Sequence, residues 1–365
     1  MLKVIFALLL LPFADAGPAR WEPQRSGASV RLRGVSAVSA RVAWASGDKG
    51  TFARTTDGGR TWRAGVVPGA EELDFRDVDA FDAETAYLLS IGEGARSRIY
   101  KTTDGGRTWA LQFRSARPAA FFDAMAFWDR DHGLAVSDPV EGRFLVITTS
   151  DGGRTWSETP RDGMPAALAG EGGFAASGTC VAVGPAGRAW FGTGGPAGAR
   201  VFRTADAGRT WEAAETPVAG GKTAGIFSLV FLDARRGVAV GGDYAKEREA
   251  GRNAALTGDG GRTWLPVGAA GPRGYRSCVA LLRGAGPPAL VAVGPSGSDY
   301  SLDGGRSWRA LGPAGYHSAS FAPRAAAGWA VGEAGGVGRY AGRLGRAAGA
   351  ARRPGRHRPG PNPKT

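Results

Sequence analysis

Two cysteines, three histidines and no long apolar run set the first bounds on this 365-residue chain. No run of 18 apolar residues exists, so no segment reads as a membrane-spanning helix. Cys180 and Cys278 fall two repeat units apart in the assignment below. That separation exceeds the reach of a disulfide, so both read as small buried hydrophobes. The scarcity of cysteine and histidine leaves no Cys-x-x-Cys, no His-Glu-x-x-His and no calcium-loop spacing, so no metal site is expected. No Gly-x-Ser-x-Gly elbow stands out. Gly336-Val337-Gly338-Arg339-Tyr340-Ala341 mimics a dinucleotide fingerprint, but no helical pattern follows it, and no cofactor is expected. A sustained 3.6-residue period is missing throughout, which points to a chain built almost wholly of strands.

Acid is missing from one region in particular. Ala341–Thr365 carries seven arginines and lysines and no carboxylate, about half of the formal surplus of +13. Rich in Gly, Pro and Ala without periodic apolar residues, it reads as a disordered basic tail at 341–365, with an anionic surface as its possible partner. The opposite end reads as a signal peptide over residues 1–16. Lys3 precedes the apolar stretch Val4 to Leu11, and Ala14-Asp15-Ala16 supplies small residues for cleavage. Export to a periplasmic or extracellular location is expected, and a nucleic-acid partner is not.

What is abundant is glycine, 60 residues of it, and it recurs in one setting. Thr56-Asp57-Gly58-Gly59-Arg60-Thr61-Trp62 returns at Thr103–Trp109 and Ser150–Trp156, and more loosely at Ala205–Trp211, Gly258–Trp264 and Leu302–Trp308. The six tryptophans are 44 to 55 residues apart, a period that marks propellers and solenoids. Asp-Gly-Gly is turn chemistry: glycine supplies positive φ, and the carboxylate accepts backbone N–H groups a few residues on. Threonine ahead and Thr-Trp behind favour strands. The heptapeptide resembles the Asp-box, or BNR, repeat. Six identical turns cannot share one active site, so Asp57, Asp104, Asp151, Asp206, Asp259 and Asp303 are assigned structural roles.

Seven short apolar strands repeat independently: Val42–Ala45, Ala86–Leu89, Gly133–Val136, Cys180–Val183, Gly237–Val240, Leu290–Val293 and Gly328–Val331. They imply seven blades against six boxes. Arg20-Trp21-Glu22-Pro23, just after the signal segment, resembles the strand that follows each box. Residues 20–25 should therefore form the outermost strand of the last blade and close the ring. The expected fold is all-β: a seven-bladed propeller of four-stranded blades over residues 17–340. The innermost strand of blade four is expected near Gly173-Phe174-Ala175-Ala176. Asp74, Asp77, Asp79 and Asp82 read as a solvated strand face and turn.

In such a blade the Asp-box turns lie on one face, and the loops around the channel mouth lie on the other. Those loops hold Asp123, Asp138, Glu171, Arg200, Asp243, Tyr244, Arg276 and His317. Acids, arginines, a tyrosine and a histidine gathered at one funnel suit recognition of a peptide, sugar or carboxylate.

Whole-chain motifs carry a further likeness. Gly328-Trp329-Ala330-Val331-Gly332 and its counterparts, with Ser137-Asp138-Pro139, Gly241-Gly242-Asp243-Tyr244 and Tyr275-Arg276-Ser277, resemble exported bacterial BNR-repeat propellers. These are related to the photosystem II stability/assembly factor family and to the WD/YVTN/BNR-like repeats. The resemblance implies a monomeric, non-catalytic binding or assembly scaffold with a protein or glycan ligand on the face opposite the boxes. Asp boxes also decorate sialidases, so a glycoside hydrolase is the alternative. The early Arg-Ile-Pro motif of sialidases is missing here, and Asp138 with Glu171 is the carboxylate pair such an enzyme would need.

Overall fold

A computed structural model describes residues 17–284 and 287–345. The expected signal segment, and the tail beyond residue 345, lie outside the described residues. Seven four-stranded antiparallel sheets form a ring of blades, and the only helical pieces among the described residues are four three-residue 3-10 turns. The innermost strands, from blade one to blade seven, are Leu32–Ala37, Asp74–Ala80, Phe122–Phe127, Val181–Gly184, Ala224–Phe231, Cys278–Leu282 and Ser318–Phe321.

Each Asp-Gly-Gly turn joins the third strand of a blade to the fourth. In the first, Asp57 accepts the Thr61 N–H at 2.9 Å and the Thr61 hydroxyl at 2.6 Å. The Thr55 hydroxyl accepts the Gly59 N–H at 2.9 Å, with Gly58 and Gly59 both at positive φ (80° and 83°). These bonds hold the Asp57 carboxyl down to about 2, the Thr61 hydroxyl contributing most. The tryptophan that leaves each turn packs against the preceding blade. Trp62 meets Trp329 of blade seven at 6.3 Å, and Trp109 meets Phe52 of blade one at 5.1 Å.

Blade seven takes its outer strand from the chain's start. Arg20–Arg25 pairs antiparallel with Gly336–Ala341, Trp21 opposite Tyr340. The pairing extends past the expected boundary at 340: Arg343 forms a bridge with Pro18, and the Tyr300 hydroxyl donates to the Gly345 carbonyl.

Blade four departs from expectation. Its innermost strand is Val181–Gly184, and its second is Arg188–Gly192. Cys180–Val183 therefore lies innermost rather than second, and Gly173–Ala176 forms no strand. The reason is tertiary. Phe174 stacks on Phe227 of blade five, with centroids 4.0 Å apart, and the residues that follow bond to four other blades, three through their carbonyls and one through the Ser177 hydroxyl.

The innermost strands are tied to one another by side chains that accept a neighbour's N–H. Ser36 accepts from Ala80, Asp77 from Met125, Ser228 from Val279, Cys278 from Ala319 and Ser320 from Ala37. Both cysteines are free and buried, but Cys278 thus serves as more than an apolar filler. Asp77 is likewise buried, not part of a solvated face. Gly178 (φ +73°) passes so near that a Cβ there would lie 2.1 Å from its Oδ1.

Burial pushes the Asp77 carboxyl well above the usual range, and Asp79 up to about 6. The folded chain then keeps protons that the unfolded chain releases above about pH 3.9. Stability should fall as pH rises from there, and level off above the folded-state values. The isosteric Asp77→Asn variant should melt higher at neutral pH and flatten part of this slope. Each kcal/mol relieved raises Tm by about 2 °C in a chain this long. Melting curves from pH 4 to 8 that keep the same slope in the variant would refute the assignment.

Candidate functional site

The mouth of the channel, on the face away from the Asp-Gly-Gly turns, is a cavity of about 630 Å³. Strand irregularities build its wall. Four innermost strands carry a β-bulge near their start, and the residue skipped by the ladder is Arg33, Arg76, Asp123 and Phe227 in blades one, two, three and five. A bulge re-aims its side chain, and all four of these line the cavity.

Its floor is the segment Gly173–Ser177, which crosses the ring from blade four. The Arg33 guanidinium donates to the Ala176 carbonyl and that of Arg76 to the Ala175 carbonyl, both at 2.9 Å. The Ser177 hydroxyl donates to the Ser277 carbonyl at 2.8 Å, and the Ser318 hydroxyl donates to the Ser177 carbonyl at 3.2 Å. Phe174, Phe227 and Tyr275 form an apolar step beside it, Phe227 and Tyr275 meeting edge-on at 4.7 Å.

The cavity has two electrical poles. Arg31, Arg33 and Arg76 make the positive one, with His317 beside them. Arg31 is paired with Asp48 and Arg76 with Asp74, each at 2.7 Å. Arg33 has no carboxylate partner among the described residues. It is 8% exposed, and its Nε meets no acceptor. Burial, then repulsion from Arg76, lowers it to about 10. His317 is also lowered, by burial and then by Arg33, although its Nε2 lies 2.7 Å from Glu333. The negative pole is Asp123 and Asp138 on either side of the floor's start. Asp138 Oδ1 accepts the Gly173 N–H at 2.7 Å, and a Cβ on Gly173 would touch Asp123 Oδ2 at 2.5 Å. Burial raises Asp138 to about 6. Asp123 is also held well above the usual carboxylate range, by burial and then by Asp138, and its Oδ2 has no partner.

The ring is similar to solved propellers. One is YCF48 bound to D1 peptide, with 17% identity over 90% of this chain and 98% of that one, at a TM-score of 0.60. Another is YCF48 from Cyanidioschyzon merolae, with 15% identity over 88% and 98% and a TM-score of 0.61. An ancestral GH74 enzyme matches at 15% identity and a TM-score of 0.59, over 86% of this chain but 45% of that one. No family model matches the chain, and no curated protein does. At these identities the likeness is one of fold. The propeller read from the repeats thus has structural counterparts in the two YCF48 structures.

Of the eight residues singled out from sequence, Asp123, Asp138, Tyr244 and His317 line the cavity. Glu171 and Arg200 are locked together beside it as a buried ion pair, Arg200 Nε 2.9 Å from Glu171 Oε1. The Thr193 hydroxyl and the Leu168 N–H complete the Glu171 shell at 2.6 and 2.8 Å. The Asp138–Glu171 pairing expected of a hydrolase therefore lacks a free second carboxylate. Arg276 is buried against Asp299 at 2.6 Å. Asp243 accepts the Ala245 N–H at 2.9 Å and so fixes the turn that presents Tyr244. Sequence reasoning missed Arg31, Arg33, Arg76, Phe174 and Phe227. The available signal was a polar or bulky residue one step into the first strand of a blade, where the alternation slips.

Proposed function

We propose that this protein is an exported binding or assembly scaffold of the cell envelope, and that its channel-mouth cavity takes an acidic segment of a protein partner. Arg33 carries the reading. A buried guanidinium with an idle donor and no counter-ion is an electrostatic vacancy that a carboxylate fills bidentately. The aromatic step of Phe174, Phe227 and Tyr275 offers an apolar surface to the residue beside that carboxylate. The related fold seen in YCF48 bound to D1 peptide supports a protein ligand over a small metabolite.

The test is fluorescence anisotropy with labelled peptide pools that end in a free or an amidated acidic residue. The free-carboxylate pool should bind. Arg33→Met should weaken it by about tenfold to a hundredfold, the worth of a charged hydrogen bond, at unchanged secondary structure. Equal binding by wild type and variant would remove Arg33 from the site.

The second reading is a glycoside hydrolase, favoured by the raised carboxylates of Asp123 and Asp138 in the same cavity. Turnover of a fluorogenic glycoside panel that disappears in Asp138→Asn would establish it and displace the scaffold.

A further inference from the structure

A second cavity, of about 300 Å³, opens on the opposite face between blades four and five. Four arginines line it: Arg188, Arg203, Arg235 and Arg262. Its inner wall is Trp190, stacked on Phe231 at 3.7 Å and anchored by its Nε1 to the Gly260 carbonyl at 2.9 Å.

The other junctions of the ring provide an internal control. At each of several junctions, the first glycine or alanine of the Asp-Gly-Gly turn donates its N–H to one carbonyl of the hairpin that opens the same blade. That carbonyl belongs to Glu84 in blade two, Asp131 in blade three and Arg235 in blade five. The third strand of the preceding blade faces this position with Arg54, Lys101 and Arg203 respectively, each paired across the sheet with an aromatic residue. At the first junction Glu84 neutralises the cluster, lying 3.4 Å from Arg54 and 4.0 Å from Arg107. At the second, Asp131 offers Lys101 an opposite charge. At the fourth, the acid is replaced by Arg235. Arg41 repeats that reversal at the junction of blades seven and one. The four–five junction adds Arg188 from the hairpin of blade four, and the cavity itself.

The guanidinium groups are positioned by backbone carbonyls rather than by acids. Arg188 donates to Pro185 at 3.3 Å, Arg235 to Gly258 at 3.3 Å and Arg262 to Asp259 at 2.9 Å. Among the described residues none of these three has a carboxylate within salt-bridge distance; Arg203 alone pairs, with the exposed Glu212 on its outer side. The other acid present is Asp259, and its two oxygens are already taken by Thr257, Thr263 and the backbone. Four positive charges against those two acids leave two in excess, with most of the arginine N–H donors unused.

We propose that this junction is an anion site for a doubly charged phosphate group, either free or as the head of a phosphomonoester lipid. The chemistry rests on the absent counter-acid and on four guanidinium groups lining one cavity, which suit the oxygens of a phosphate. It is independent of the channel-mouth cavity.

The test compares wild type with Arg235→Glu, which restores the acid found in blade two and so should fold. Isothermal titration with inorganic phosphate, at ionic strength held constant with chloride, is one arm. Sedimentation with vesicles of phosphatidate in phosphatidylcholine, against phosphatidylcholine alone, is the other. Wild type should bind phosphate, and Arg235→Glu should lose at least about tenfold of the affinity. In phosphate-free buffer the variant should melt no lower than wild type, because the new acid relieves arginine repulsion. Binding to the phosphatidate vesicles alone, again lost in Arg235→Glu, would assign the site to the lipid head. Absence of binding in both arms, or equal binding by the variant, would overturn the proposal.

Discussion

A chain that lacks residues 17–26 is expected to lose the folded ring altogether. Blade seven would then be three strands wide, and Gly336–Ala341 would stand as a bare edge with six pairing positions empty. The losses extend to three blades. Trp21 packs against Tyr316, Phe321 and Tyr340 at 5.6, 6.0 and 5.8 Å, and its Nε1 donates to Ser298 of blade six at 3.1 Å. Gln24 Oε1 accepts from Trp62 of blade one at 3.0 Å and from Trp329 at 3.2 Å. The Ser26 hydroxyl donates to the Gly335 carbonyl at 2.6 Å. The remaining ties between blades seven and one, such as the Ala37 N–H to the Ser320 hydroxyl, are left without this strand's support. Circular dichroism melting and gel filtration should find an aggregated or unfolded product. Because such a product is hard to handle, Trp21→Ala supplies a graded version. It should cost about 3 kcal/mol, a large aromatic truncation, or about 6 °C in Tm. A truncated chain with the wild-type melting temperature would refute closure by this strand.

Glu171→Gln is expected to cost about 3–5 kcal/mol, although it changes a single atom. Glu171 was legible as a ligand-face acid, and it is instead a buried anchor, its side chain 1% exposed and that of Arg200 11%. Neutralising it leaves the Arg200 guanidinium buried without a counter-ion, the costly way to break such a pair. The effect should reach the cavity. Glu171 precedes Gly172, which pairs reciprocally with Gly194 at 2.9 and 3.0 Å, and the cavity floor follows directly. Acidic-peptide binding should therefore weaken together with Tm. The double variant Glu171→Leu/Arg200→Met should recover much of the stability, since apolar replacement of both partners removes the desolvation cost. A catalytic acid would behave otherwise: Glu171→Gln would retain the wild-type Tm and lose turnover alone.

The blades were legible because their chemistry is local. Asp-Gly-Gly fixes its own turn within five residues, and six copies leave little room for another fold. The closing strand was legible because Arg20-Trp21-Glu22 repeats Thr210-Trp211-Glu212 in kind. Blade four was misread for the opposite reason. Gly173–Ala176 is apolar and short, as a strand would be, but its conformation is set by Arg33, 143 residues from Ala176, and by Ser277, 100 residues from Ser177. No window of sequence contains those partners. Arg33 and Arg76 escaped notice because an arginine in a strand usually faces water, and only the slip in register turns these two inward. Glu171 and Arg276 failed as ligand contacts because a sequence does not say which charges are already spent on one another.

The bulges at Arg33, Arg76, Asp123 and Phe227 have an evolutionary corollary. Each is a residue left over from the ladder, so its identity is released from the hydrogen bonds that hold a blade together. Two cations, an acid and an aromatic occupy equivalent places in four blades of one molecule, and every blade still forms. The mouth of the ring is therefore written at four positions outside the ladder, each of which also meets the segment that floors it. Relatives that share the frame can diverge in what they recognise by rewriting four positions, with the turns and tryptophans left untouched.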